Sequence, residues 1–281
     1  MKNIPKIAHF YWGGKILPYL RFMTLKSFRK FNPEWKVILY SPTSRSDHQS
    51  WLTHEHKCEM VGPDYSDHLK QLGIERVNVD FNQFGLSNDF PEVIKSDFLR
   101  LFLLSTVGGL WSDLDIVYFR PIGSTFLLDS QYTTYVCYNS MPWGGVKFYS
   151  IGFMMASPLN PVFAKLHSMA LSLLKEKPLD ETNPDAYQVI GSTFYNPYIN
   201  LKSSFLYNIP MEVVYPVLPF DRIWDIPAKD VLQDIKDRTI GVHWYAGYPK
   251  SGAFQNKLNE ATYKEYDNII TYFLKTINNE S

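Results

Sequence analysis

The chain has 281 residues, 45% hydrophobic and 16% aromatic, which is enough apolar material for a large buried core and excludes a disordered protein. Its 28 basic and 28 acidic residues cancel, which excludes a general attraction to polyanions. The two cysteines, Cys58 and Cys137, do not have the spacing of a zinc or redox motif.

Charge is unevenly distributed along the chain. Residues 1–50 contain nine lysines and arginines but only two acidic residues. Such a region suits phosphate groups of a nucleotide, a nucleic acid or a membrane surface, although a solvated helix face explains most of these residues. The N-terminus lacks signal-peptide features, and the most apolar run, FLRLFLLSTVGGL, is too short for a membrane span. We therefore expect a cytoplasmic protein, with peripheral membrane contact left open.

The first elements alternate between strand and helix. The segment IAHFYW predicts a strand, Pro18 opens a helix, and Asn32-Pro33 ends that helix before a second strand, WKVILY. This order predicts an α/β fold with a parallel sheet. We expect one domain over residues 1–281, with irregular segments at 43–75 and 178–210.

The middle of the chain repeats this alternation. The segment RVNVDF predicts a strand, and a helix starts at Pro91, with Asn88 and Asp89 as candidate caps, and ends at Gly108-Gly109. The next strand is LWSDLDIVYF. Further strands are predicted at TTYVCY, FMMAS and MEVVYPV, and helices from Asn160-Pro161 to about residue 177 and over ATYKEYDNIITYFLKTI.

Two aspartates, Asp113 and Asp115, follow Trp111 in an apolar stretch. Alternate residues of a strand share a face, so these three side chains are predicted to project together. Half-buried carboxylates are costly unless a cation compensates them. The spacing Asp-x-Asp suits Mn²⁺ or Mg²⁺ carrying a diphosphate, whereas the tripeptide alone is common and is better explained as a turn cap.

The longer pattern SDFLRLFLLSTVGGLWSDLD resembles the signature of the DXD-containing, sugar-binding glycosyltransferases. That family includes capsular-polysaccharide and mannosyl-type transferases and, distantly, the glucosyltransferase domains of large bacterial toxins. The segments IPKIAHFYWGGK and SFRKFNPEWKVILY resemble its first strand and its next helix and strand, so the resemblance covers residues 4–40 and 91–121. It implies a GT-A fold: a Rossmann-like, mixed but mostly parallel sheet flanked by helices, with a small irregular insertion.

The resemblance implies metal-dependent, retaining transfer of a sugar from a nucleoside diphosphate, with a UDP-sugar as the expected donor. Tyr11 and Trp12, followed by Gly13, stand where the family stacks the base of the donor. Asp97 and Arg100, three residues apart and therefore on one helix face, stand where it holds the hydroxyl groups of the transferred sugar. Both are expected to be catalytic because they orient that sugar.

The resemblance also implies a metal site. Trp111 stands in place of the usual tyrosine beside the donor, Asp113 would contact ribose and metal as a further catalytic residue, and Asp115 would ligate the metal. The segment IGVHWYAGYPKSG resembles the His-x-x-Gly-x-x-Lys ending of related retaining galactosyltransferases, with one additional residue. His243 is then a third metal ligand and Lys250 pairs with the diphosphate. A buried core histidine is the alternative.

Other segments carry weaker signals. Gly191 in IGSTFYNP matches a donor-facing loop of the family. The cluster in DHQSWLTHEHKC has no second ligand pair for zinc, so a polar segment near the acceptor is the better interpretation of its His48, His54, His56 and Cys58. Aromatic residues that could stack on acceptor sugars are more often core residues; they are Trp143, Tyr149, Phe153 and Trp224.

Rival hypotheses remain open at this point. DLDIV also fits a haloacid-dehalogenase-like phosphatase, although that motif should follow an apolar N-terminal strand, and DRIWD fits its second acidic motif only loosely. A glycan-binding module without activity is a non-enzymatic alternative. For a transferase, the expected acceptor is a surface polysaccharide or lipopolysaccharide intermediate. A modified base of viral (phage) DNA in an infected host is the alternative, and a protein side chain is third.

Overall fold

A computed structural model gives the structure of the protein. The residues described are 4–45, 60–125, 131–139, 148–176, 188–217 and 221–278. Four residues of the predicted histidine-rich cluster lie outside these ranges: His48, His54, His56 and Cys58. Trp143 and residues 178–187 of the second irregular segment also lie outside them.

Within the described ranges the chain forms nine β-strands and eight α-helices, joined by turns and short 3-10 helices. The strands are β1 Ile7–Tyr11, β2 Lys36–Pro42, β3 Glu75–Val79, β4 Gly109–Ser112, β5 Ile116–Tyr118, β6 Thr134–Asn139, β7 Phe148–Ala156, β8 Leu206–Asn208 and β9 Gly241–His243. The helices are α1 Tyr19–Phe31, α2 Glu92–Thr106, α3 Ile122–Thr125, α4 Pro161–Glu176, α5 Asp221–Trp224, α6 Ala228–Val231, α7 Pro249–Lys257 and α8 Ile269–Ile277. None of the helices in the described ranges has both the length and the apolar character needed to cross a membrane.

Seven strands form one mixed sheet in the order β3-β2-β1-β4-β7-β6-β8. Four of the six strand pairings are parallel, and β7 runs antiparallel to both of its neighbours. Strands β5 and β9 form a separate two-stranded antiparallel sheet. The predicted α/β architecture with a mostly parallel sheet is therefore confirmed.

The main sheet separates two hydrophobic cores. Successive residues of a strand point to opposite faces, so Phe10 and Leu110 enter the core shared with α1 and α8. Tyr11 and Trp111 enter the other core, which α2 and α4 cover. Both faces of the sheet are buried in this way, as parallel sheets require.

Local signals place most element boundaries as predicted. Pro18 precedes α1, and the chain leaves that helix at Asn32. Helix α2 ends before Gly108, whose φ of 71° lies in the left-handed region that glycine tolerates. At the start of α2, however, the prediction of Asn88 and Asp89 as caps is wrong. Pro91 takes the N-cap position, and Asn88 Oδ1 instead accepts a hydrogen bond from the Phe81 N–H.

The predicted strand LWSDLDIVYF is divided in two. Its first part is β4 in the main sheet, its last part is β5 in the small sheet, and residues 113–115 form the turn between them. The Asp113 N–H stays bonded to Gly152 O (2.8 Å), whereas Asp115 O accepts from the Trp244 N–H (2.8 Å) beside β9. The chain thus changes sheets between the two aspartates, and the predicted common strand face for them is wrong.

Two further predictions are wrong for similar reasons. MEVVYPV does not form a strand: it begins with a 3-10 helix, Met211–Val213, and the carbonyl groups of Val213 and Val214 accept from Ile240 and His243. The last predicted helix is shorter than expected. It begins only at α8, where the Asn268 and Thr271 side chains form a reciprocal capping box.

Candidate active site

The candidate site lies at one edge of the main sheet. Strands β1 and β4 pair in parallel, with His9 opposite Trp111, so their carboxyl ends meet at the same edge. Trp12 and Gly13 follow β1 there, and Asp113 follows β4. Ligands of open α/β sheets bind at the carboxyl ends of parallel strands, so a ligand site is expected at this edge.

Asp113 is held by two buried side chains. Its Oδ1 accepts hydrogen bonds from Arg100 Nη2 (3.1 Å) and from Trp111 Nε1 (2.8 Å). Arg100 also forms an ion pair with Asp97 (Nη1 to Oδ1, 2.9 Å), and its guanidinium lies 5.0 Å from the centre of the Trp111 ring. The Arg100 side chain is 2% exposed and the Asp113 side chain is 31% exposed, so Asp113 is the more accessible of the two residues.

Burial controls the charges of this network. It raises the pKa of Asp97 to about 7, an effect that Arg100 opposes and the Asp113 carboxylate reinforces. Burial by itself would lower the pKa of Arg100, but the carboxylates of Asp113 and Asp97 hold it above its usual range. Arg100 is therefore a permanent cation between two carboxyl groups. The structure brings together these three residues, which the sequence predicted as catalytic.

Asp115 is held by the segment after β9. Its Oδ2 accepts from the Ala246 N–H (2.9 Å), and its Oδ1 lies 3.1 Å from His243 Nε2. Burial opposes ionisation of Asp115, but His243, Arg21 and the Ala246 N–H together hold its pKa below the usual range. Asp115 is therefore a carboxylate at neutral pH, and it faces an imidazole nitrogen.

These two residues fit a divalent cation. Asp115 Oδ1 is buried and faces His243 Nε2, and a carboxylate oxygen beside an imidazole nitrogen is a donor pair that Mn²⁺ accepts. Neighbouring ligands of an octahedral ion with bonds of about 2.1 Å lie about 3 Å apart, which is close to the separation seen here. In the described part of the chain no three His, Cys, Asp or Glu side chains form a metal-binding group, and the metal contact of Asp113 stays a prediction.

Arg21, at the start of α1, was not among the predicted site residues. It is only 7% exposed, although most of the basic N-terminal residues were interpreted as a solvated face. Its guanidinium carbon lies 5.0 Å from the ring centre of Trp12 and 4.9 Å from that of Trp244, and its Nε donates to Gln255 Oε1 (2.9 Å). The carboxylates of Asp115 and Asp113 stabilise its charge against the cost of burial.

The predicted base-binding residues are buried. The Tyr11 hydroxyl donates to Glu92 Oε2 (2.5 Å), and the other oxygen of Glu92 accepts from Lys95 Nζ (2.8 Å). Trp12 donates from Nε1 to Ile16 O (2.8 Å). A side chain at Gly13 would overlap the Glu92 carboxylate. Stacking of a base on Tyr11 or Trp12 stays a prediction.

Two predicted donor contacts, Lys250 and Gly191, have partners of their own in the fold. Lys250, the second residue of α7, forms an ion pair with Asp225, and both side chains are about two-fifths exposed. Gly191 is enclosed in a turn in which its N–H bonds to Gln188 O (2.8 Å). The same segment supplies Tyr195, a buried residue whose hydroxyl lies beside Arg100. Tyr195 therefore joins the network of Asp97, Arg100 and Asp113, and no sequence signal identified it.

Tyr215 and Gly152 also border the site without having been predicted. The Tyr215 ring centre lies 5.0 Å from that of His243, and burial together with nearby acidic groups raises the pKa of its phenol well above the usual value.

Tyr149, Phe153 and Trp224 are buried in the two cores, which confirms the core interpretation for these three aromatic residues.

The comparisons with known proteins concern the fold and the class of enzyme. The model of the glycosyltransferase sugar-binding region containing a DXD motif matches residues 21–134. The solved PaToxG glycosyltransferase has a TM-score of 0.50 and 16% sequence identity, over 70% of this chain and 69% of that chain. The glycosyltransferase GlyE of Streptococcus pneumoniae TIGR4 has a TM-score of 0.47 and 13% identity, over 98% of this chain and 64% of that chain.

A third structure, the galactosyltransferase LgtC with donor and acceptor sugar analogues, has a TM-score of 0.44 and 9% identity, over 92% of this chain and 99% of that chain. No curated protein matches the sequence. At 16% identity the PaToxG structure bears on the fold alone, whereas the matched region bears on the class of enzyme. Residues 21–134 match the glycosyltransferase sugar-binding region containing a DXD motif, and the structure has a GT-A fold, so the two findings together indicate a glycosyltransferase.

Proposed function

We propose that the enzyme transfers a sugar from a nucleoside diphosphate, with a UDP-sugar as the donor, to a hydroxyl group of a glycan in the cytoplasm. The observation that carries this proposal is the meeting of two charged groups at one edge of the sheet. Asp97, Arg100 and Asp113 form one, and Asp115 with His243 forms the other. The first suits sugar hydroxyl groups, and the second suits a metal-bound diphosphate.

Each group has its own task in the proposed reaction. Arg100 and Asp97 are buried, and Trp111 packs against the Arg100 guanidinium, so both side chains are already fixed in the free enzyme. They can therefore orient the transferred sugar without a further loss of side-chain entropy. Asp115 and His243 would hold Mn²⁺ or Mg²⁺, which stabilises the negative charge that develops on a leaving phosphate. Lys250 would contribute a further positive charge to the diphosphate after separation from Asp225.

The bond changes are those of a glycosyl transfer with retention. The bond from the anomeric carbon to the diphosphate oxygen breaks, and its electron pair leaves with the nucleoside diphosphate. The acceptor oxygen bonds to the same face of that carbon and passes its proton to the departing phosphate. No side chain is proposed as a covalent nucleophile, because the described carboxylates at this edge are engaged by Arg100 or by His243.

The acceptor proposed is a surface polysaccharide or lipopolysaccharide intermediate. The alternative, a modified base of viral DNA, relied on the basic N-terminal residues. Arg21 is buried, Lys6 and Lys36 pair with Glu34 and Glu75, and Arg29 donates to the carbonyl oxygen of Trp35. These basic residues therefore have internal partners, which favours an acceptor that is not a polyanion. The finding that the chain is a glycosyltransferase replaces the two rival hypotheses, a phosphatase and an inactive glycan-binding module.

The test is hydrolysis of a panel of nucleotide-sugars, with and without manganese, by wild type, Asp115→Ala and Asp67→Ala. Asp67 is the matched control because its side chain is 90% exposed. We expect manganese-dependent release of one nucleotide, a loss of about 100-fold in Asp115→Ala and no change in Asp67→Ala. The configuration of the product, measured by NMR, tests retention. Turnover of no nucleotide-sugar by the wild type would refute the proposed function.

A further inference from the structure

Arg21 is a buried cation that no carboxylate contacts within the described ranges. It lies in the first turn of α1, is 7% exposed, and donates from Nε to the neutral side chain of Gln255 (2.9 Å). The other buried arginine of the site, Arg100, forms ion pairs with both Asp97 and Asp113. A buried guanidinium keeps its charge, and its burial is costly unless an anion compensates it. Arg21 therefore lacks the anionic contact that its burial calls for.

The guanidinium of Arg21 is held in one orientation. Its carbon lies 5.0 Å from the ring centre of Trp12 and 4.9 Å from that of Trp244, and the bond to Gln255 occupies Nε. The edge formed by Nη1 and Nη2 remains. Neither of these atoms bonds to a residue that the structure describes, and neither is among the fully enclosed, unpartnered nitrogen atoms there. Both are therefore open to a ligand.

This edge belongs to the part of the site that holds Asp115. The Trp244 N–H donates to Asp115 O (2.8 Å), so one of the two rings against Arg21 is attached to the backbone of that aspartate. The carboxylates of Asp115 and Asp113 act on the Arg21 charge through space rather than by contact. The other ring, Trp12, follows β1 at the carboxyl edge of the sheet. Arg21 thus lies beside the pair of groups that suits a metal-bound diphosphate.

The chemistry of a guanidinium edge selects the ligand. Two parallel N–H groups match the oxygen atoms of a phosphate or a carboxylate. In a nucleotide-sugar with a neutral sugar, the diphosphate carries the negative charge, whereas a sugar hydroxyl would leave the cation uncompensated. We propose that Arg21 binds the diphosphate of the donor through Nη1 and Nη2. This inference rests on the proposed function and adds a residue that no sequence motif marked.

The experiment uses the donor found in the nucleotide-sugar panel and measures inhibition by two compounds. One is the nucleoside diphosphate that the reaction releases, and the other is its nucleoside, which has no phosphate. Arg21→Met removes the charge and keeps an unbranched side chain between the two rings. We expect the inhibition constant of the nucleoside diphosphate to rise about 30-fold, as for the loss of hydrogen bonds to a charged group. The constant of the nucleoside should not change.

Two further variants separate geometry and net charge from binding. Arg21→Lys keeps the charge but loses the planar pair of N–H groups, so the rise for the nucleoside diphosphate should be smaller, about fivefold. Arg29→Met is the matched control. Arg29 lies in the same helix, but its Nη1 donates to Trp35 O (2.8 Å) at the amino end of β2. This variant loses the same charge and should leave both inhibition constants unchanged.

The outcomes distinguish this inference from the proposed function. An active wild type with an unchanged constant for the nucleoside diphosphate in Arg21→Met would overturn the inference alone. Equal rises for the nucleoside diphosphate and the nucleoside would also overturn it, because Arg21 would then only support the fold. A rise confined to the KM of the acceptor would overturn it in favour of an acidic acceptor group. A wild type that turns over no nucleotide-sugar would overturn both.

Discussion

The backbone N–H of Ala246 donates a 2.9 Å hydrogen bond to Oδ2 of Asp115, a residue 131 positions earlier in the chain. A backbone donor has no side-chain freedom, so it fixes one oxygen of the carboxylate and leaves the other directed at His243. The second aspartate of the DXD motif is therefore oriented before any ligand arrives. Such preorganisation is what electrostatic stabilisation of a leaving group requires.

Trp111→Phe should weaken donor use. The indole N–H of Trp111 donates to Asp113 Oδ1, and its ring packs against the Arg100 guanidinium. Phenylalanine keeps an aromatic ring at this position and removes the hydrogen-bond donor. We expect the donor KM to rise about tenfold, as for the loss of a hydrogen bond to a charged group. Steady-state kinetics measure this. Trp35→Phe, in the core at the start of β2, is the control and should leave KM unchanged.

Asp225→Asn should strengthen diphosphate binding. Asp225 is the ion-pair partner of Lys250, and its neutralisation leaves the lysine more positive towards a ligand. Since both side chains are partly exposed, the effect is small, about a threefold decrease in Kd for the nucleoside diphosphate at low salt. Calorimetric titration measures it, with Lys250→Met expected to change Kd in the opposite direction. An unchanged Kd in Lys250→Met would remove the lysine from the donor site.

Gly108→Ala should destabilise the fold. The φ of 71° disfavours a side chain, and a methyl group would lie 2.6 Å from the backbone of Ala156, Ser157 and Pro158. We expect a loss of about 3 kcal/mol or more in the free energy of unfolding, measured in urea. Gly123→Ala is the control: no atom lies within 4 Å of its added methyl group, so stability should change by less than about 0.5 kcal/mol. Equal stabilities of the two variants would contradict the prediction.

Stability should fall in mild acid because of His9. This side chain is fully buried between Gly108 O (2.9 Å from Nε2) and the Tyr40 hydroxyl (3.1 Å from Nδ1), and burial lowers its pKa from 6.5 to about 4. Between these two values the unfolded chain binds the proton and the folded chain does not, so stability decreases as pH falls from 6.5 to 4. The contribution of this residue is about 3 kcal/mol.

The measurement compares the free energy of unfolding of wild type and His9→Gln at several pH values. Groups other than His9 affect both proteins equally, so the difference between the two curves isolates the histidine. The wild type should lose more stability than His9→Gln between pH 6.5 and 4. Parallel curves would show that His9 is not a buried neutral histidine.

Local chemistry explains what the sequence predicted correctly. Pro18 and Asn32 bound α1, and Gly108 ends α2, because proline and glycine act through their own backbone geometry. Asp97 and Arg100 lie together because three residues of a helix place them on one face. No knowledge of distant residues was needed for any of these.

Distant contacts explain what the sequence did not predict. The change of sheet between Asp113 and Asp115 depends on backbone groups of Trp244 and Ala246, which no local pattern reveals. Arg21 is buried because the rings of Trp12 and Trp244 pack against its guanidinium, although the charge of an arginine predicts a solvated position. The same holds for Tyr215, whose place beside the site follows only from the packing of the small sheet.

The division of the DXD segment between two sheets makes the site a joint between two parts of the molecule. Asp113 is attached to the main sheet through Gly152, and Asp115 to the small sheet through the segment after β9. Helix α1 holds the turn and the strand after it: Thr24 Oγ1 donates to Leu114 O (3.0 Å), and Ser27 Oγ accepts from the Tyr118 N–H (3.1 Å). Two small hydroxyl side chains of one helix therefore anchor both the turn between the two carboxylates and the strand that follows it.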